Sequence, residues 1–238
     1  MTSVSEQLRC ASSVSNPISA EILGQCGFDW MMLDMENSPN ELEHVLHQLQ
    51  ALQGSPTMPV VRPPWNDMVM FKRLLDIGAR TLIVPYIQNS EEARQAVAYT
   101  RYPPDGVRGY AGAPRASGYG RIKDYARRSA DEICLLLQIE TREGLAHLEE
   151  IASVDGVDGV FIGPGDLSAD MGHLGNPRHP EVVAAVNEAF GKAPGILIGD
   201  EALAHHFIKE GGLFVAVGAD QNLLRDSASA LAARFKGH

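Results

Sequence analysis

The sequence predicts a (β/α)8 TIM barrel made of a single domain over residues 1–238. Three observations predict it. Short apolar runs alternate with helix-like segments along the whole chain, the pattern of repeated βα units and a parallel sheet. About eight such units in 238 residues match the length of a barrel domain. A doubly wound open sheet is the alternative, and no GxGxxG or Walker loop supports it.

Taken in order, a weak and rather polar first strand lies around Leu8–Ser12. The other strand candidates are Trp30–Leu33, Pro59–Arg62, Thr81–Val84, Leu135–Ile139, Gly159–Ile162, Gly195–Ile198 and Leu213–Val217. Each is short, apolar and β-branched or aromatic enough for a buried parallel strand. Helices are predicted over Ser19–Gly24, Glu41–Gln53, Asp67–Ile77, Ser90–Thr100, Arg142–Ile151, Pro180–Phe190, Glu201–Glu210 and Gln221–Phe235. Asn66-Asp67 and Asn89-Ser90-Glu91 carry N-terminal start signals, and Gly78 and Gly211 fall where helices stop. The helix before Gly191 has hardly three turns. One long connection, Tyr102–Ser129, is rich in Gly, Pro, Arg and Tyr, which suits a lid or binding loop.

Composition narrows the function. A formal charge of −10 and a pI near 5.2 argue against a nucleic-acid or anionic-membrane surface. The three cysteines, Cys10, Cys26 and Cys134, are far apart and read as reduced core thiols of a cytoplasmic protein. The N-terminal MTSVSEQLRC has no apolar leader core, and no apolar run approaches a membrane span.

In a barrel, chemistry collects at the C-terminal ends of the strands. The polar residues there are Asp34, Glu36 and Asn37 after the second strand, and Arg62 ending the third. Gln138 lies just inside the end of the fifth strand, followed by Glu140. Gly165 and Asp166 follow the sixth, after a Gly-Pro-Gly turn. Glu140 and Asp166 end adjacent strands of one βαβ unit, so they face the same mouth. Two carboxylates held together share a proton or a cation, and an oxygen-only pair suits Mg²⁺ or Mn²⁺. Met31, Met32 and Met35 read as core filling. His44 and His47 lie within a helix. His173 and His179 sit in a turn and read as packed or water-facing residues, and His205-His206 falls in mid-helix.

The stretches GFDWMMLDMENSPN, PVVRPPWND, LLDIGARTLIVP, RYPPDGVRG, QIETREG, VDGVDGVFIGPGDLSADMGHLGNPRHPEV, KAPGILI and LFVAVGAD span nearly the whole chain. Through them it resembles the HpcH/HpaI family of class II pyruvate aldolases. The resemblance implies a (β/α)8 barrel in a homo-oligomer, a hexamer in this family. It implies metal-dependent cleavage of 4-hydroxy-2-oxo acids, such as 4-hydroxy-2-oxoheptanedioate, to pyruvate plus an aldehyde such as succinate semialdehyde. The implied partners are therefore small keto acids and aldehydes, with no nucleic acid or membrane.

Carried over by residue, Glu140 and Asp166 match the ligands of a divalent metal, Mg²⁺, Mn²⁺ or Co²⁺. Gln138, Gly165 and Asp166 match positions that contact the keto acid, and Arg115 falls in the loop resembling the aldehyde-contacting segment. Arg62 matches the arginine that stabilises the pyruvate enolate, and Asp76 an aspartate that raises the basicity of an active-site histidine. That histidine is the departure: the family usually reads Asp-Gly-Glu-His where this chain reads Asp34-Met35-Glu36-Asn37. An asparagine cannot titrate, so Asn37 cannot relay a proton. Three readings stay open at this point: an ordinary or slowed aldolase, an oxaloacetate or keto-acid decarboxylase on the same metal site, and a catalytically impaired keto-acid binder. The chain also lacks some of the family's length near the first strand and in the helix after the sixth.

Overall fold

Eight short parallel strands, joined by helices, make up the sheet of the computed structural model, which describes residues 9–12, 15–190 and 195–236. The strands are β1 Arg9–Ser12, β2 Trp30–Asp34, β3 Met58–Arg62, β4 Thr81–Val84, β5 Cys134–Ile139, β6 Gly159–Ile162, β7 Gly195–Leu197 and β8 Phe214–Ala216. Ladders join them in sequence order from β1 to β8. The register runs through pairs such as Leu33 with Val61, Leu137 with Val160 and Ile196 with Val215. The result is an α/β fold with a curled parallel sheet of TIM-like form. β1 and β8 approach within 8 Å at their Cα atoms, and no ladder joins them among the described residues.

In the first half, the short α1 Pro17–Leu23 is followed by three amphipathic helices that cover the outside of the sheet, α2 Leu42–Ala51, α3 Met68–Asp76 and α4 Ser90–Thr100. Asp67 and Asn89 cap α3 and α4 by accepting from Met70 N and Glu92 N, the start signals legible in the sequence. The Tyr102–Ser129 connection holds a 3₁₀ turn, Arg115–Ser117, and the one-turn helix α5, Tyr125–Arg128. The helix predicted over Arg142–Ile151 is two short pieces, α6 Arg142–Ala146 and α7 Leu148–Ala152, broken at His147. His147 Nδ1 there lies 3.0 Å from the Gln88 carbonyl oxygen. The turn expected after β6 is instead the short helix α8, Pro164–Asp170, with its proline in the first turn. α9 Pro180–Phe190, α10 Glu201–Lys209 and α11 Asp220–Lys236 complete the chain. No helix among the described residues is long and apolar enough to cross a membrane. Leu8, Gly191 and the tail beyond Lys236 lie outside the described residues, as do the side chains of residues 9–12.

Strand side chains alternate between two cores, because successive residues point to opposite faces. Met31, Leu33, Val61, Leu82, Leu135, Leu137, Val160 and Ile162 pack outward against the helices. Trp30, Met32, Val60, Ile83, Leu136, Phe161 and Ala216 form a separate inner cluster. Burying each large inner side chain contributes about 1.5–3 kcal/mol. The inner series has a consequence at its upper end. Continuing Trp30–Met32 gives Asp34, Val60 gives Arg62, Leu136 gives Gln138 and Glu140, and Phe161 gives Gly163. The layer above the inner apolar plug is therefore charged and polar.

Candidate active site

Asp34 and Arg62, aligned across β2 and β3, form a two-pronged ion pair. Arg62 Nε donates to Asp34 Oδ1 at 2.8 Å, and Nη2 to Oδ2 at 2.7 Å. The remaining Arg62 nitrogen, Nη1, lies 2.8 Å from Glu36 Oε2 and donates to Gln138 Oε1 at 3.2 Å. Gln138 passes the chain on, its Nε2 donating to Glu140 Oε2 at 2.6 Å. The other oxygen, Glu140 Oε1, accepts from Tyr86 N at 2.8 Å. Asp34, Arg62, Gln138 and Glu140 are all buried. Tyr86 holds its amide in place from a left-handed backbone, φ 60°, uncommon for a non-glycine residue. Its ring stacks on Trp65 at 5.4 Å, on the exposed rim after β3 and β4.

Asp34 also shapes the turn that follows it. Its Oδ1 accepts from Glu36 N at 3.1 Å, and its carbonyl accepts from Ser38 Oγ and Asn40 Nδ2. This turn leaves Asn37 exposed, with no side-chain hydrogen bond among the described residues. On the far side of the rim, Ile139 pairs with Ile162, so Glu140 and the start of α8 leave the sheet side by side. Gly165 and Asp166 occupy the first turn of α8 and are exposed. Gly163 has no room for a side chain: a Cβ there would meet Glu140 Oε2 at 2.5 Å.

Three carboxyl groups, Asp34, Glu36 and Glu140, thus act on one guanidinium, with Asp166 near the last two, and the electrostatics record the imbalance. Burial pushes the Glu140 carboxyl up to about 8, aided by the negative charges of Glu36 and Asp166, while Gln138 and the Tyr86 amide pull it back. Burial also raises Glu36, against the pull of Arg62 and with the push of Asp34 and Asp166. Burial opposes the Arg62 charge, but Asp34, Glu36 and Glu140 together outweigh it and raise its pKa. Surplus negative charge on oxygen-only donors is the environment a hard divalent cation fits. A cation there would neutralise the carboxylates that now resist ionising together.

Arg62, Gln138 and Glu140 therefore form one connected cluster, with Gly165, Asp166 and Asn37 on the same rim. Asp76 and Arg115 do not join them within one chain. Helices run opposite to the strands, so Asp76, the last residue of α3, lies just before Thr81 at the start of β4. It pairs there with Lys72 Nζ at 2.7 Å and Arg108 Nη2 at 2.9 Å. Arg115 Nη1 donates to the Ile77 carbonyl at 2.7 Å on the same lower edge. The length of β4 separates that edge from the rim, roughly 13 Å at about 3.3 Å per residue. Matching residue types had named both, and the direction of α3 places them at the opposite end of the sheet from the rim of the same chain. Conversely, Asp34 and Glu36 belong to the cluster as the partners of Arg62. The signal for Asp34 was the period-two series Trp30, Met32, Asp34.

Residues 8–227 match the sequence profile of the HpcH/HpaI aldolase/citrate lyase family. The chain belongs to that family. It is 56% identical over 229 residues to the 4-hydroxy-2-oxo-heptane-1,7-dioate aldolases of Salmonella typhi and of Escherichia coli strain SE11, covering 93% of this chain and 87% of each relative. Among solved structures, an HpcH/HpaI aldolase/citrate lyase family protein from Burkholderia cenocepacia J2315 superposes with a TM-score of 0.91 at 36% identity, covering 97% of this chain and 96% of that one. The HpcH/HpaI aldolase from Desulfitobacterium hafniense DCB-2 gives 0.87 at 26% identity, covering 98% and 93%.

Proposed function

We propose that this chain is a divalent-metal-dependent aldolase, a carbon–carbon lyase that cleaves 4-hydroxy-2-oxo acids of the heptanedioate type to pyruvate plus an aldehyde. The observation that carries the reading is the carboxyl-rich rim, in which burial and two like charges hold Glu140 near 8. The identity to aldolases of that name supports the substrate class. Glu140 and Asp166 would hold the cation, Mg²⁺, Mn²⁺ or Co²⁺. When bound, it supplies Lewis-acid polarisation of the substrate's keto acid end. Gln138 orients Glu140 and, with the backbone at Gly165, borders the keto acid. Arg62 carries the positive charge that meets the negative charge developing on the keto oxygen as the carbon–carbon bond breaks. Asp34 holds that guanidinium from below by two hydrogen bonds, which leaves Nη1 as the group turned toward Gln138 and Glu36.

The same reading includes a closed (β/α)8 barrel, one domain over residues 1–238 and a cytoplasmic homo-oligomer, a hexamer as in its family. α11 supports self-association: it is exposed from Gln221 to Lys236, with Leu224 65% and Phe235 77% exposed. Asn37 sits on the rim without an ionisable group, so proton transfer in this chain goes through another group or is slow. The test offers 4-hydroxy-2-oxoheptane-1,7-dioate and oxaloacetate side by side to the parent chain and to Asn37→His, with pyruvate as the readout. The aldolase reading expects turnover of the heptanedioate and a rate increase of up to about 10²–10⁴-fold with histidine. Turnover of oxaloacetate alone would replace it with a decarboxylase, and turnover of neither with a keto-acid binder.

A further inference from the structure

We propose that His173, His179 and Glu181 form a second metal site, for a borderline cation of the Zn²⁺ class, that clasps the turn between α8 and α9. The sequence suggests that both histidines merely pack or face water. The fold instead brings them together: one ligand atom from each of the three residues lies within 4.8 Å of the others. His173 Nε2 is 2.9 Å from Glu181 Oε2. The two imidazoles are stacked, centroids 3.5 Å apart and 14° from parallel.

The backbone of the turn fixes this arrangement. His173 N donates to Ser168 O at 2.7 Å, Asn176 N to His173 O at 2.9 Å, and His179 N to Asn176 O at 3.0 Å. Arg178 ties the same turn to Asp200, the cap of α10, at 2.7 Å. His179 precedes α9, and its Nδ1 accepts a long 3.4 Å bond from Glu181 N, which is easily exchanged for a stronger ligand. Tetrahedral zinc at about 2.1 Å from each nitrogen needs donors roughly 3.4 Å apart. His173 Nε2 and Glu181 Oε2, now 2.9 Å apart, need to separate only by about half an ångström to reach that spacing. Parallel rings must rotate to bring both lone pairs onto one ion, and both side chains are only half-buried. The N-terminal N–H groups of α9 oppose a cation, and the Glu181 carboxylate in that first turn offsets them.

The donor set separates this site from the rim. Two imidazoles and one carboxylate favour Zn²⁺, Ni²⁺ or Cu²⁺, whereas Mg²⁺ prefers oxygen alone. Neutral imidazole is the ligand form, so protons compete with the metal for the site. The consequence is structural: three side chains from both ends of the turn are joined, which stiffens the link from α8, the helix of Asp166, to α9.

The test uses the tag-free full chain stripped with chelator, Zn²⁺ and Mg²⁺ as probes, and calorimetry as the readout. Glu140→Gln, made first, removes the rim as a zinc competitor. In that background we expect one Zn²⁺ per chain, a zinc-dependent rise in melting temperature, and loss of both with His173→Gln plus His179→Asn. Asparagine keeps a side-chain acceptor in front of α9, so lost binding is not lost fold. In the parent background the histidine changes should leave Mg²⁺ binding unaltered. Zinc stoichiometry and affinity that ignore His173 and His179 would overturn the proposal. So would a count that falls with His205→Gln instead, since Glu201 and His205 form another exposed pair.

Discussion

At the residue scale, the behaviour of Glu140 follows from where it sits. Its carboxyl is buried, feels Glu36 and Asp166, and is held up to about 8 in the metal-free chain. In the unfolded chain it returns to the ordinary range near 4.3. A carboxyl raised in the folded state costs nothing while protonated in both states, and costs stability once the unfolded form ionises and the folded form resists. Glu140 therefore favours the fold at low pH and withdraws that contribution as pH rises from about 4.3 to about 8. We expect the melting temperature of chelator-stripped protein to fall across that window, and Glu140→Gln to flatten the fall. An equal slope in the variant would place the burden elsewhere. Arg62, Gln138 and Glu140 were legible in the sequence as polar residues at strand ends. Asp34 was visible there too, but its role as the clamp on Arg62 appears only when the inner face is followed up β2. Asp76 and Arg115 lie away from the rim of their own chain, which a local motif does not reveal: the run of α3 toward the start of β4 decides it.

At the element scale, the junction of β6 and α8 is what lets Glu140 and the α8 carboxylate share a rim. Gly163 contributes by lacking a Cβ, since one would press on Glu140 Oε2 at 2.5 Å. Gly163 has a negative φ, so alanine meets no backbone penalty there. Gly163→Ala should consequently keep the far-ultraviolet spectrum of the parent while Mn²⁺ binding by calorimetry is lost or greatly weakened. Unchanged Mn²⁺ affinity would show that the Glu140 position does not matter to the cation. The sequence marked the strands correctly to within a residue or two, because unbroken apolar runs of four to six residues have few other homes in an α/β chain. It did not mark α8. A Gly-Pro-Gly start reads as a turn, yet proline in a first helical turn gives up an N–H that has no intrahelical partner in any case. Nor did it mark the break at His147, which depends on contact with Gln88, 59 residues away.

At the scale of the whole molecule, the TIM-like sheet was legible from the alternation and the length, while its edge was not. β1 is short and polar, and its approach to β8 is a matter of tertiary contact that no local pattern encodes. The exposed face of α11 belongs to the same scale. Its exposed Leu223, Leu224, Leu231 and Phe235 present apolar surface that a lone chain leaves in water. Light scattering of the parent should give the mass of an oligomer, and Leu224→Glu with Phe235→Glu should give a smaller species. A parent that runs as a monomer, or a variant of unchanged mass, would remove α11 from the assembly. The central claim concerns the rim, and one assay addresses it most directly: pyruvate release from 4-hydroxy-2-oxoheptane-1,7-dioate by chelator-stripped protein, before and after adding Mn²⁺. The account predicts no turnover before, turnover after, and none in either case for Glu140→Gln; release that is indifferent to chelator and to Glu140 would contradict it.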